Sequence, residues 1–163
     1  MWKKVGYQPV GGLREIGFIE NSDFLMVLGG RGRTIFNCLT TEKIARDRKD
    51  YYSENWDSET GVVEGIENFK GVSIVCGGFE YPDVIPKQTQ DNWRILVKDE
   101  KRQDYKKDLE QAEVMYLVNK VTKEEIEVEV CHYKITRGYG FSKTGKSFIA
   151  AHAHGINFWA RNE

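Results

Sequence analysis

The chain has 163 residues, and its 24 basic and 25 acidic side chains give a formal net charge of −1. A charge this close to zero provides no large field for attracting nucleic acid or an anionic membrane surface, so neither is expected as a partner. The content of 40% hydrophobic and 12% aromatic residues excludes the disordered class and predicts one compact domain over residues 1–163.

The sequence also predicts a cytoplasmic protein without a membrane anchor. No apolar signal-peptide core follows residues 1–4, and no apolar run approaches the roughly 20 residues that span a bilayer. The three cysteines, Cys38, Cys76 and Cys131, lack CxxC spacing, which favours reduced thiols. Each lies in or beside an apolar strand, where we expect a small buried side chain rather than a catalytic nucleophile.

Short apolar segments between Gly-, Asn-, Asp- and Ser-rich turns predict an all-β fold. In the first half of the chain, strands are predicted at residues 4–10, 13–19, 24–28, 33–38, 44–46, 62–66 and 72–76. Two long loops, at 47–60 and 80–92, have the aromatic and proline content of recognition loops. Aromatic side chains on such loops are typical anchors for a protein partner, and the candidates are Tyr51, Tyr52, Trp56 and Tyr81.

The second half continues the same pattern. Further strands are predicted at residues 93–97, 114–118, 126–130, 133–141, 147–154 and 156–161. Helix competes only at 104–111, where Tyr105 and Leu109 fall near helical spacing. The strand at 126–130 alternates, which predicts that Ile126, Val128 and Val130 face the core and that Glu125, Glu127 and Glu129 face solvent.

Parts of the stretch Gly17 to Arg46 recur later in the chain. A shift of 123 positions aligns Gly17-Phe18 with Gly140-Phe141 and Gly32 with Gly155, and a shift of 82 aligns residues 35–37 with 117–119. Both shifts are multiples of 41, a period typical of propeller blades with four short strands each. The last unit, residues 133–161, holds only three strands, so we expect the strand at residues 4–10 to complete it and to protect its edge.

The stretch Gly17 to Arg46 resembles blades of the WD-repeat type, although the Gly-His and Trp-Asp signatures are absent. Gly140-Phe141-Ser142 and the segment Gly155 to Phe158 are also similar to a family of uncharacterised small bacterial proteins, a resemblance that implies no activity. The blade resemblance implies a small four-bladed propeller or propeller-like ring, and a β-barrel or β-sandwich remains the alternative.

Histidines near the end of the chain suggest a metal site. His152 and His154 lie two apart on a predicted strand, so both imidazoles can face one metal ion. The third ligand would be His132, Cys131, Cys76 or a carboxylate such as Asp83. Such a site would support a metal-dependent hydrolase. No other cofactor is expected.

The same histidines admit a second interpretation. The 123-position shift places His154 on Arg31, so Arg31, Arg33, His152 and His154 are predicted on one rim of the molecule. Guanidinium and imidazole groups beside glycine N–H groups suit a phosphate or carboxylate.

Residues 140–147, GFSKTGKS, match the pattern of a nucleotide-binding P-loop. A true P-loop connects a buried strand to a helix, whereas the aligned repeat predicts a hairpin turn here. We therefore expect a non-catalytic protein that binds a protein partner or a small anionic ligand, as inhibitors, immunity proteins and accessory proteins do. The metal-dependent hydrolase is the first alternative, and the nucleotide binder is the second.

Overall fold

The computed structural model describes residues 1–49, 57, 59–78, 84–104, 106–132 and 136–162. Within these ranges the protein is an all-β structure of antiparallel strands, as predicted, with one turn of 3-10 helix at Glu67–Phe69. None of the described residues forms a helix that is long and apolar enough to cross a membrane. The strands are β1 Trp2–Pro9, β2 Leu13–Phe18, β3 Phe24–Gly29, β4 Gly32–Asn37, β5 Lys43–Asp47, β6 Val62–Glu64, β7 Ser73–Val75, β8 Gly77–Gly78, β9 Trp93–Gln103, β10 Leu109–Asn119, β11 Glu125–Cys131, β12 Thr136–Phe141, β13 Ser147–His152 and β14 Gly155–Arg161.

These strands form four sheets. Sheet I has the order β5-β4-β3-β2-β8, sheet II is β1-β14-β13-β12, sheet III is β11-β10-β9, and sheet IV is the pair β6-β7. In sheet II the first strand of the chain pairs antiparallel with the last. The prediction that the N-terminal segment completes the final three-stranded unit is therefore confirmed.

Three strands of sheet I and three strands of sheet II begin at corresponding positions and share their register at a distance of 123 positions. β2, β3 and β4 begin at residues 13, 24 and 32, and β12, β13 and β14 begin at 136, 147 and 155. Their cross-strand pairs also correspond, since Phe18 pairs with Leu25 just as Phe141 pairs with Phe148. Even the irregularity between Leu13 and Glu15 has its counterpart between Thr136 and Gly138.

The sheets pack face to face in the order IV, I, II, III. One core cluster joins sheets I and II, and in it Phe36 contacts Phe158 with ring centroids 5.7 Å apart. A second cluster joins sheets I and IV, and a third joins sheets II and III. Burial of these apolar faces supplies the main stabilising free energy, at about 25 cal/mol per Å².

The predicted closed propeller is not found. The remaining core cluster, Ala112, Val114, Tyr116 and Val118 with Leu96 and Val130, belongs to sheet III alone. Among the described residues no core cluster joins this face to sheet IV, so three interfaces connect the four sheets and no ring is closed. The face-to-face packing is compatible with the sandwich-like alternative.

The helix considered at residues 104–111 is also absent from the described residues. β9 runs to Gln103 and β10 begins at Leu109, and the two strands pair as an antiparallel hairpin. The Asp104 carboxylate accepts hydrogen bonds from the backbone N–H groups of Lys106 and Asp108 at 2.8 and 2.9 Å. Such a side chain offers the backbone partners that a helix would otherwise supply.

Candidate functional site

A cavity of about 150 Å³ lies between sheet I and the end of β1 in sheet II. Its floor is apolar, formed in part by Val27 and Phe36 of sheet I and by Val10. Gly29 and Gly32 leave the β3–β4 turn open beside it. We call this cavity the cationic cleft because its polar rim is basic.

Three basic side chains form the rim of the cationic cleft. Arg31 lies in the β3–β4 turn, and Lys43 and Arg46 lie on β5. All three are exposed, and none of them forms an ion pair with a described residue. No acidic residue in the described ranges lines the cavity. The cleft therefore presents a local excess of positive charge on a protein whose net charge is −1.

Glycines hold the entrance of the cleft in position. Gly30 donates a backbone hydrogen bond to the carbonyl of Gly12 at 3.0 Å, which ties the β3–β4 turn to the β1–β2 turn. Gly32 has a φ of +117°, and a Cβ there would lie 1.9 Å from the Asp47 carbonyl oxygen. Only glycine fits this close approach, so the backbone at the rim depends on it.

Arg33 is not part of the cleft. It is buried, and its guanidinium donates to the Asp47 carboxylate at 2.7 Å and to the Glu64 carbonyl at 3.0 Å. The backbone N–H of Lys49 and the Arg33 guanidinium lower the pKa of Asp47. The prediction grouped Arg33 with Arg31 on one rim, whereas the structure uses Arg33 to join β4, β5 and β6. Strand alternation is the reason, because residue 33 faces sheet IV along with Ile35.

His154 lies beside the cleft through its backbone. Its carbonyl accepts hydrogen bonds from the Val10 N–H at 2.9 Å and from the Tyr7 hydroxyl at 3.2 Å. Its exposed imidazole is not among the groups that line the cavity.

His152 lies instead between sheets II and III. Its Nδ1 is 3.9 Å from Cys131 Sγ, and its Nε2 is 3.4 Å from Glu129 Oε2. The hydrogen bond with Cys131, and to a smaller extent the one with Glu129, raises the pKa of His152 to about 9. Among the described residues, Glu129, Cys131 and His152 form the one group with metal-ligand spacing. We call them the Glu–Cys–His cluster.

The other two predicted metal ligands lie outside this cluster. His154 and His132 are not members of any group of described residues with metal-ligand spacing. His132 follows Cys131 directly, and neighbouring residues of an extended chain point in opposite directions. The structure therefore places Cys131, one of the third ligands considered, and Glu129 beside His152 in place of these two histidines.

A β-bulge at Val128 explains why Glu129 belongs to the cluster. Met115 pairs with Glu129 and Tyr116 pairs with Glu127, which leaves Val128 as the extra residue on β11. The alternation predicted for this strand therefore holds for Ile126 and Val128 and reverses after them. Glu129 turns to the buried side facing sheet II. Bulges re-aim side chains in this way, often beside functional sites.

The segment GFSKTGKS forms the β12–β13 hairpin turn, as the aligned repeat predicts. The hydroxyls of Ser142, Thr144 and Ser147 donate to the Asp23 carboxylate at 2.7, 2.8 and 2.7 Å. A strand follows the turn rather than the helix that a P-loop requires. The hydroxyls hold two neighbouring hairpins together, and the nucleotide-binding alternative loses its structural basis.

Several residues of the candidate sites escaped the sequence analysis. Lys43 and Arg46 were missed because only the pairing of β4 with β5, which sets Lys43 opposite Phe36 and Arg46 opposite Thr34, brings them to the cleft; two basic residues on the strand after the Arg31 turn were the available signal. Glu129 was missed because regular alternation assigned it to solvent. The predicted partner-binding residues, Tyr51, Tyr52, Trp56 and Tyr81, lie outside the described residues.

No protein-family model matches the chain, and comparisons with curated proteins and with solved structures found no significant match.

Proposed function

We propose that the protein binds a small anionic ligand in the cationic cleft. The observation that carries the proposal is the convergence of Arg31, Lys43 and Arg46 on a cavity without acidic lining in the described residues. Guanidinium groups form charge-assisted, bidentate hydrogen bonds with carboxylates and phosphates. We assign the cleft a binding role rather than a catalytic one, because none of the described side chains that line it is a histidine, a carboxylate or a cysteine.

The size of the cleft restricts what enters it. Ordinary small-molecule sites occupy roughly 300–1,000 Å³, whereas this cavity measures about 150 Å³. A phosphate or carboxylate group fits, and the rest of a larger ligand would remain outside over the exposed rim. Val10, Val27 and Phe36 below the rim favour an anionic group with a small apolar attachment.

Calorimetric titration with inorganic phosphate and with acetate tests the proposal directly. Arg31→Gln or Arg46→Gln each removes one charge-assisted hydrogen bond, so we expect roughly a tenfold or greater loss of affinity from each, and no measurable binding by the double variant. Arg94→Gln is the matched control, because Arg94 is an exposed arginine on β9 whose loss changes the net charge equally.

The proposal predicts unchanged affinity for Arg94→Gln and weaker binding at higher salt. His154→Asn should change the affinity little, because its backbone rather than its imidazole adjoins the cleft. Failure of the wild-type protein to bind either anion would refute the proposal. Equal losses in Arg31→Gln and Arg94→Gln would also refute it, since they would indicate a general charge effect.

A further inference from the structure

The Glu–Cys–His cluster brings three different donor atoms together inside the protein. Glu129 and Cys131 lie on the same face of β11, and His152 ends β13 in the neighbouring sheet. The donor atoms of the three residues all lie within 4.8 Å of one another. The β-bulge at Val128 creates this arrangement by turning Glu129 inward.

A second, independent observation concerns the Glu129 carboxylate. Only 8% of the Glu129 surface is exposed. Its Oε2 accepts a hydrogen bond from Asn157 Nδ2 at 3.1 Å, while its buried Oε1 has no hydrogen-bond partner among the described residues. A buried carboxylate oxygen without a partner is costly. Carboxylates that bind metal ions are themselves held by hydrogen bonds, so the Asn157 amide on one oxygen and the open second oxygen fit a metal ligand.

The donor set selects the class of metal. Thiolate, imidazole and carboxylate together suit a borderline-soft ion such as zinc, whereas calcium and magnesium prefer oxygen donors alone. Zinc bonds of roughly 2.0–2.3 Å space tetrahedral ligand atoms about 3.3–3.6 Å apart. His152 Nε2 lies 3.4 Å from Oε2 of the Glu129 carboxylate, and the donor atoms of the cluster, all within 4.8 Å of one another, need to move by about 1 Å to reach this spacing.

We propose that Glu129, Cys131 and His152 bind a zinc ion. Three protein ligands leave the fourth tetrahedral position open. The His152 side chain is 24% exposed, which gives this position access to solvent. The site is separate from the cationic cleft and does not depend on anion binding there.

Metal titration of the reduced, chelator-treated protein tests this site. We expect one zinc ion per chain in competition with a chromophoric chelator. Cobalt should bind at the same site and give the absorption of a tetrahedral ion together with a thiolate charge-transfer band. Cys131→Ser and His152→Asn should each weaken zinc binding by about 100-fold or more, and Asn157→Ala by about tenfold.

His154→Asn is the matched control, because it changes an exposed histidine two residues from His152. We expect it to keep wild-type zinc affinity and the cobalt spectrum. Glu129→Gln preserves shape and gives a further test if either other ligand variant fails to fold, as judged from thermal unfolding without metal. Absence of zinc uptake by the folded wild-type protein overturns the proposal. A cobalt spectrum without the thiolate band, or full binding in Cys131→Ser or Glu129→Gln, also overturns it.

Discussion

The cationic cleft and the Glu–Cys–His cluster occupy corresponding places at two successive sheet interfaces. The cleft lies where sheet I meets the end of β1, and the cluster lies where sheet II meets the end of β11. By the shared register of the two sheets, Gly29, Arg31 and Thr34 of the cleft correspond to His152, His154 and Asn157. One backbone arrangement therefore supports two different chemistries.

The residue at one position accounts for much of the difference. Gly29 has no side chain, so a cavity remains between the sheets. His152 occupies the corresponding place and reaches across to Glu129 and Cys131. Side chains next to these positions complete the contrast, because Pro9 at the end of β1 and the following Val10 line the cleft, whereas β11 presents donor atoms to the cluster. The comparison shows that similar strand geometry at the two interfaces carries different sets of side chains.

The outer strands of the sheets differ in where they bulge. β1 bulges between Lys4 and Gly6 beside the Phe158 and Trp159 pairs, and β5 bulges at the corresponding place beside Ile35 and Phe36. In β11 the irregularity lies deeper in the strand, between the partners of Met115 and Tyr116. This displacement keeps Ile126 and Val128 in the core and still delivers Glu129 to the interface.

Among corresponding positions, we expect the largest difference in unfolding free energy when Gly32 and Gly155 are each replaced by alanine. Gly32→Ala should lower the free energy of unfolding by about 3 kcal/mol, because Gly32 has positive φ and its Cβ would meet the Asp47 carbonyl oxygen at 1.9 Å. Gly155→Ala should cost about 1 kcal/mol, because its Cβ would meet the half-exposed Tyr7 side chain, which can move. Urea unfolding measures both, and equal losses would show that the two turns are not distinguished by this backbone contact.

Asn157 and Thr34 occupy corresponding polar positions, and we expect them to contribute differently to the free energy of unfolding. Asn157→Ala removes the amide that donates to buried Glu129, so we expect a loss of about 2 kcal/mol in the metal-free protein. Thr34 forms no side-chain hydrogen bond with a described residue, and Thr34→Ala should cost well under half as much. Chemical denaturation of the two variants provides the comparison. A larger loss for Thr34→Ala would contradict the role assigned to the Asn157 amide.

A side chain at Gly29 should lower the anion affinity of the cationic cleft and leave the zinc affinity of the Glu–Cys–His cluster unchanged. In Gly29→Ala the new Cβ would lie 3.1 Å from the Gly11 carbonyl oxygen and narrow the cavity. We expect phosphate affinity to fall about fivefold, consistent with a mild overpacking cost of roughly 1 kcal/mol. Zinc affinity should stay at the wild-type value. Unchanged phosphate affinity would place the anion away from Gly29.

We expect the smallest effect on unfolding free energy from the ion pair between Arg161 and Asp91. Arg161 ends β14, far from the hairpin turn that follows His152. Arg161 donates to the Asp91 carboxylate at 2.5 and 2.8 Å and lowers the pKa of Asp91 to about 2. Because the pKa is lower in the folded state than the unfolded value of about 3.9, the pair stabilises the protein above pH ~4 and loses that effect as pH falls toward 2.

Asp91 is 54% exposed, so Asp91→Asn should cost no more than about 1 kcal/mol at pH 7. Unfolding free energies of wild type and variant, measured at pH 7 and near pH 2, give the difference. It should be clearly smaller at the lower pH, because about half of the Asp91 carboxyl groups are protonated near a pKa of about 2. A difference of unchanged size there would mean that the pair acts through packing rather than charge.

Local patterns predicted the strands well and the long-range assembly only in part. The strand segments, the hairpin nature of GFSKTGKS and the pairing of β1 with the last unit followed from apolar runs, turn residues and the 123-position shift. Local patterns did not predict correctly whether the ring closes, because closure depends on whether the outer face of sheet III meets sheet IV. Arg31 was identified from its turn, whereas Lys43 and Arg46 needed the β4–β5 register.

The sequence by itself determined an antiparallel all-β chain, its hairpins, and His152 and Cys131 as candidate metal ligands. Alternation and turn chemistry act over a few residues, so these features are readable without the fold. Only the tertiary structure decided that Glu129 turns inward, that Arg33 is buried against Asp47, and that three cations surround one cavity. Each of these depends on a bulge or on the packing of distant strands, where one residue of register reverses the side-chain direction.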